Sequence, residues 1–254
     1  MRDYPLAAAS NPAARTIYVP TGVKETATNL RQWYGPIQQQ GPFGACTSFA
    51  SLQWRMALRR MAGLSVIDPS YFANYYMERQ LQGTVTQDSG ASIDLAVQVL
   101  EQYGAMPELD DPYTPNDFAV APPPQDWMAL FQLHSQQAQR IHHPDILPHT
   151  LDALANGHPV LFGMTVFAEL EQDEVAMTGY LSMPAHPNQP LGSHAVNCIG
   201  NDPGARMLLI ANQWSAAWGI KTPPDLAGCF WMPYEYYREY AYDAYVGFPD
   251  AKND

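Results

Sequence analysis

The stretch "QQGPFGACTSFASLQW" (39–54) sets one cysteine, Cys46, after a glycine-rich turn and at the predicted start of an amphipathic helix. Unpaired backbone N–H groups at a helix start carry partial positive charge and favour thiolate over thiol, so the position suits a nucleophile. Free cysteine is also among the most buried residue types, and position alone leaves packing open as the other reading. A nucleophilic thiolate needs a base and a group that orients the base. Seven histidines are available. His142 and His143 are adjacent; on a strand they would point to opposite faces, and no acidic residue or cysteine stands near them at ligand spacing. His134, His149, His158 and His186 lie in polar or proline-flanked stretches, which predicts solvent exposure. His194, in "LGSHAVNCIGND", falls just inside a predicted strand after a Gly-Ser turn, where its ring can face a cleft. A lone histidine there also reads as a satisfied core residue.

These residues need a scaffold, and composition supplies the limits. The chain has 254 residues, 46% of them hydrophobic, enough for one large domain or two lobes. Its net charge of −12 (13 basic, 25 acidic) and the lack of a basic run argue against a nucleic-acid partner. No stretch reaches the length of a membrane span, and "MRDYPLAAASNPAARTIYVP" has too short an apolar core for a signal peptide. The expectation is no membrane association, with cytoplasmic placement or export by a signal-independent route. Cys46, Cys198 and Cys229 include no CxxC pair; no metal site is read, and at most one bridge, Cys198 to Cys229, is allowed.

The first half reads as helices. Phe49, Leu52, Met56, Ala57 and Met61 give one apolar face ended by Gly63. "DPSYFANYYMERQLQG" offers Asp68 as N-cap, Pro69 in the first turn and Gly83 as the stop. "GASIDLAVQVLEQYGAMP" offers Ser92 as N-cap, an apolar stripe from Ile93 to Tyr103, and Gly104 as the stop. The proline-rich 110–124 stretch reads as a crossing between lobes. Beyond it "HPVLFGMTVF", "SHAVNCIGND", "RMLLIANQW" and "GCFWMPYEYY" read as strands, interrupted by one short helix near Pro148 to Ala155. The fold class is α+β, with a helical lobe at about 30–124, a β lobe at about 125–254, an N-terminal segment at 1–29 packing on the β lobe or the cleft, and the site in the cleft.

With these elements placed, the sequence resembles the papain-like (C1 family) cysteine peptidases. Gln40 and Cys46 in "QGPFGACTSFA" stand at the spacing of the family's first motif; "GSHAVNCIG" is similar to its histidine motif; "IANQWSAAWG" is similar to its third, through Asn212, Trp214, Trp218 and Gly219. The motifs occur in the family's order, and the resemblance covers roughly Tyr34 to Tyr240. It implies a two-lobe fold with an antiparallel β-barrel-like lobe, and hydrolysis of peptide or isopeptide bonds through a thioester. Cys46 would be the nucleophile, His194 its ion-pair partner and later the acid, Asn212 the orienter of the imidazole, and Gln40 an oxyanion donor with the Cys46 backbone. Trp214 would shield the His194–Asn212 bond, as well as filling core. Substrate contacts would come from Gly90 and Ser89 in "QDSGAS", pairing in strand fashion, and from Gly192, Ser193 and Ala195 around His194. The resemblance implies no cofactor, a polypeptide substrate and a monomer.

The sequence also departs from that pattern. Thr47 follows the cysteine where an aromatic is usual, and "GACTSFA" is similar to bacterial members. Phe43 stands where many members carry a disulfide cysteine, which suits a reducing compartment. Gln213 and Ser215 replace Ser and Gly around Trp214, which bears on the local backbone geometry. The stretch before Gln40 is shorter than the family's inhibitory propeptide, leaving either a removed propeptide or an N-terminal segment lying in the cleft. Acyl transfer or glutamine deamidation on the same machinery, and a catalytically silent peptide-binding module, are the alternative functions. The tyrosines from Tyr234 to Tyr245 read as lobe packing that could brace the cleft rim.

Overall fold

The structure is a computed structural model that describes residues 15–114, 118–123 and 131–251. The N-terminal stretch up to residue 14, and residues 115–117 and 124 of the proline-rich stretch, lie outside them. Three helices come first: α1 (Cys46–Met61), α2 (Tyr71–Gln82) and α3 (Ile93–Gln102). The rest is built on an antiparallel sheet. It comprises β1 (Thr28–Asn29), β2 (Ala138–Arg140), β3 (Val160–Val166), β4 (Gly192–Asp202), β5 (Met207–Ala211), β6 (Cys229–Pro233) and β7 (Ala241–Gly247). The order is β2-β7-β3-β4-β5-β6, with β1 paired to β4. This sheet does not close, which corrects the barrel-like expectation. Helices α4 (Ile146–Ala155), α5 (Asp173–Thr178) and α6 (Tyr234–Tyr240) complete the mixed fold, and no helix among the described residues is long and apolar enough to cross a membrane.

The two-residue alternation of a strand sorts the core. On β3, Val160, Phe162, Met164 and Val166 join one apolar cluster with residues of α4 and α6, while Leu161 joins a second with Phe49, Leu52 and Trp54 of α1. α1 therefore lies against one face of the sheet, and its core draws Phe131, Leu133 and Tyr245 from beyond the boundary drawn at residue 124. Trp54 Nε1 donates to the Pro159 carbonyl at 3.3 Å. Arg55 and Arg59, buried on the same helix, share the Asp250 carboxylate. Of the proline-rich stretch, Tyr113 packs on Phe72 and Phe49, and Phe118 on Phe43. Those two residues fold back on the helices.

Several local expectations shift by a few residues. The N-cap of α2 is Ser70, whose hydroxyl accepts from the Ala73 N–H at 3.0 Å. Asp68 and Pro69 precede it, and the Asp68 carbonyl instead takes the Glu108 N–H. α3 starts on Ser92 as expected. "GCFWMPYEYY" is a strand only to Pro233. The tyrosines after it form α6, where Tyr236 and Tyr240, four apart, meet edge to face at 5.2 Å. An aromatic-rich run supports strand and helix alike until its buried side chains declare a period. All three cysteines are free, so Cys198 and Cys229 are not bridged. His142 and His143 sit in an exposed turn rather than on a strand, and His149 and His158 are half-buried, His158 against Phe248 at 4.4 Å.

The described part of the N-terminal segment meets α3, α4 and the sheet in turn. Arg15 pairs with Asp94 and Glu101 of α3. Asp152 of α4 accepts from the Tyr18 hydroxyl and from the backbone of Thr21, Gly22 and Val23. Thr28 and Asn29 then pair with Asn201 and Gly200 of β4. Thr28 and Asn29 are thus attached at the end of β4 opposite His194.

Candidate active site

Cys46 is the first residue of α1, and the N-cap before it is Ala45, which has no side-chain acceptor. No side chain there competes for the first-turn N–H groups, and they remain directed at the thiol. The turn leading into the helix is tied down from outside. The Asp88 carboxylate accepts the Gly44 N–H at 3.0 and 3.2 Å and also takes the Tyr75 hydroxyl, which in turn accepts the Gly90 N–H at 3.1 Å.

His194 is third in β4, opposite Met164 of β3. Its neighbour Ala195 gives its backbone N–H to the Cys46 sulfur, which brings the start of α1 against the start of β4. His194 Nε2 lies 2.9 Å from Asn212 Oδ1. Asn212 follows β5, and the same Oδ1 accepts the Gln213 N–H at 2.9 Å, which fixes the amide with oxygen toward the ring. Trp214 covers this pair with its ring 5.0 Å from the imidazole, and Trp218 stands edge-on to Trp214 at 5.0 Å. Gly219 has φ +80, and a Cβ there would come within 2.3 Å of the Cys229 carbonyl, so only glycine lets this loop close on β6. Ser215 takes φ +68, the conformation that glycine would adopt without strain, and its N–H still reaches the Gln38 carbonyl at 2.9 Å.

Gln40 joins the same assembly. Its N–H donates to the Gln213 carbonyl at 2.9 Å, and Gln39 bridges Trp214. One side-chain N–H of Gln40 goes to the Phe43 carbonyl at 2.6 Å, which leaves the other for an incoming oxygen. Its main-chain carbonyl accepts the Tyr113 hydroxyl. Cys46, His194, Asn212, Gln40 and Trp214 are therefore brought together from three separate stretches.

The expected substrate contacts divide. Gly192 and Ser193 open β4 and are half-buried, and the Tyr242 hydroxyl bonds to Ser193. Ala195 is fully buried and lines no open pocket. Gly90 gives its N–H to Tyr75 and its carbonyl accepts from Ser89 and Gln82, so it holds out no unengaged donor to an extended chain. Three groups at the site were not singled out by sequence reasoning, Glu78, Asp88 and Tyr113, and Gln213 was read only as a departure in local backbone geometry. Each acts through a partner distant in sequence, and no local spacing signals it.

The electrostatics oppose an isolated thiolate. Burial pushes the Cys46 thiol up to about 12, and the Glu78 carboxyl adds to that rise, while N–H groups of Ala195, Thr47 and Cys46 itself pull the other way. Glu78 is itself buried beside Cys46, accepts from the Thr47 hydroxyl, and burial raises it to about 8.

No protein-family profile matches the sequence. Over 204 residues the chain is 30% identical to an uncharacterized peptidase C1-like protein of Acanthamoeba polyphaga mimivirus. That match takes in 78% of this chain but only 64% of the length of the viral protein. The fold is similar to that of xylellain, a cysteine protease from Xylella fastidiosa, with a TM-score of 0.83, 26% identity and 98% of each chain covered. It is similar in fold alone to digestive procathepsin L 3 of Tenebrio molitor larval midgut, with a TM-score of 0.66 at 18% identity over 92% of this chain and 74% of that one.

Proposed function

The chain belongs by fold and sequence likeness with the papain-like cysteine proteases, and from that premise we propose that it hydrolyses amide bonds of polypeptide substrates through a thioester on Cys46. The observation that carries the proposal is the His194–Asn212 contact under Trp214, set beside a cysteine at a helix start. In this reading Cys46 passes its proton to His194 and attacks the acyl carbon, and the carbonyl π electrons move to oxygen. Gln40 and the Cys46 N–H stabilise that oxyanion. His194 then returns the proton to the departing amine, and water, deprotonated by His194, hydrolyses the thioester. Because burial disfavours thiolate alone, the ion pair with the imidazolium is what makes the sulfur reactive.

The test is the rate of Cys46 alkylation by iodoacetamide against pH, read by mass spectrometry beside Cys198, Cys229 and His194→Ala. A fast rate below pH 6 that is lost in His194→Ala is expected; a rate rising only near the reference thiol value of about 8.5 overturns the ion pair and leaves a silent binding module. Turnover of a peptide library, abolished by Cys46→Ala, is the matching assay. Products with amine incorporated, or a glutamine side chain one dalton heavier, would replace hydrolysis by acyl transfer or deamidation.

A further inference from the structure

Ala195 pairs with Gly163 in the β3–β4 register, and both of its backbone groups also engage the site. Its N–H goes to the Cys46 sulfur, and its carbonyl takes the Gln213 Nε2 at 2.7 Å. The same Nε2 lies 3.4 Å from the carbonyl of Cys46. A closed circuit results, running from the Cys46 sulfur through Ala195 to the Gln213 amide and back to the main chain of Cys46. Gln213 is fully buried, and its own backbone holds two further members of the site, since its N–H binds Asn212 Oδ1 and its carbonyl accepts the Gln40 N–H.

We propose that Gln213 is a positioning residue, whose side-chain NH2 fixes the separation between the helix start that carries the thiol and the strand that carries the imidazole. The proposal rests on reading Cys46 and His194 as the reacting pair. A serine, which the resemblance leads one to expect here, is too short to reach both carbonyls from this backbone position. In a buried site a carbonyl that loses its donor is costly, and the 2.7 Å bond to the Ala195 carbonyl is the one at stake, so the amide does more than fill space. Its Oε1 is buried without a partner among the described residues, and so the donors are what the site uses.

The test is Gln213→Met, which keeps the chain length and removes the donors, with Gln213→Leu as a second shape. In a variant that remains folded by circular dichroism, kcat should fall about tenfold with KM little changed, as expected when reacting groups drift from alignment. The low-pH limb of Cys46 alkylation should move to higher pH. A folded variant with the wild-type alkylation profile and kcat overturns the proposal. Should neither variant fold, side-chain amide exchange of Gln213 in wild-type protein labelled with 15N-glutamine decides: slow exchange and a shift on Cys46 alkylation are expected, and rapid exchange overturns it. A wild-type Cys46 with no low-pH reactivity would instead sink the proposed function, so the two failures stay distinct.

Discussion

Asn212 Oδ1 accepts at once from His194 Nε2, at 2.9 Å, and from the Gln213 N–H, at 2.9 Å. A carboxamide oxygen only accepts, so Nε2 carries a proton, and in the proposed reaction Nδ1 takes one from the thiol. Asn212→Ala frees the ring to turn and to choose the other tautomer. We expect kcat to fall about a hundredfold with little change in KM, measured on a peptide substrate.

In the proposed reaction Gln40 contributes later, when charge develops on the acyl oxygen. Removing one such donor costs about 10²–10³ in kcat. Gln40→Ala should show that loss while Cys46 alkylation keeps its pH profile, because the alkylating agent builds no oxyanion. A parallel loss in alkylation would move Gln40 from stabiliser to scaffold.

Glu78 gives a pH dependence with a definite sign. Burial raises its carboxyl from 4.5 to about 8, so the folded chain holds a proton that the unfolded chain has released. Its contribution to stability is complete below pH 4.5 and is lost as pH rises through about 8. Denaturant midpoints of the wild type should therefore fall across that window, and those of Glu78→Gln should fall less. The low-pH alkylation limb of Cys46 should stay in place in the same variant, because the buried carboxyl already holds its proton there.

Asp88 ties the turn before Cys46 by accepting the Gly44 N–H. A charged acceptor for a backbone N–H is worth about 1.5–3 kcal/mol, and Asp88→Ala should lower the unfolding free energy by that order in chemical denaturation. Loss of kcat should accompany it, since Gly44 is two residues from the nucleophile.

What could be read in advance was whatever the chain states locally. A cysteine in a glycine turn, a histidine after Gly-Ser, and an Asn-x-Trp run each keep their spacing however the rest folds, and Ser92 caps its helix from adjacent residues. Where two local signals compete, one can win unseen: Asp68 and Ser70 both suit a cap, and Ser70 holds the first turn of α2. The groups that brace the site gave no such signal. Asp88 meets Gly44 across 44 positions, and Gln213 meets Cys46 across 167. A side-chain period cannot encode contacts of that range. The tyrosines after Pro233 show the same limit, because only burial against Phe167 and Thr165 decides that they wind into α6.

The open sheet has one more consequence, for the protein's behaviour in concentrated solution. A sheet that does not close presents two borders, and unpaired strand borders invite other chains to add on. Here both are insulated by stretches of the same chain. On β2, Arg140 gives its N–H to Thr16 and takes that of Tyr18; on β6, Trp231 gives its N–H to Gly179 and takes that of Leu181. These four bonds stand guard against intermolecular ribbon formation, which makes residues 16–18 and 179–181 the places where a proteolytic nick would turn a self-contained molecule into an aggregating one.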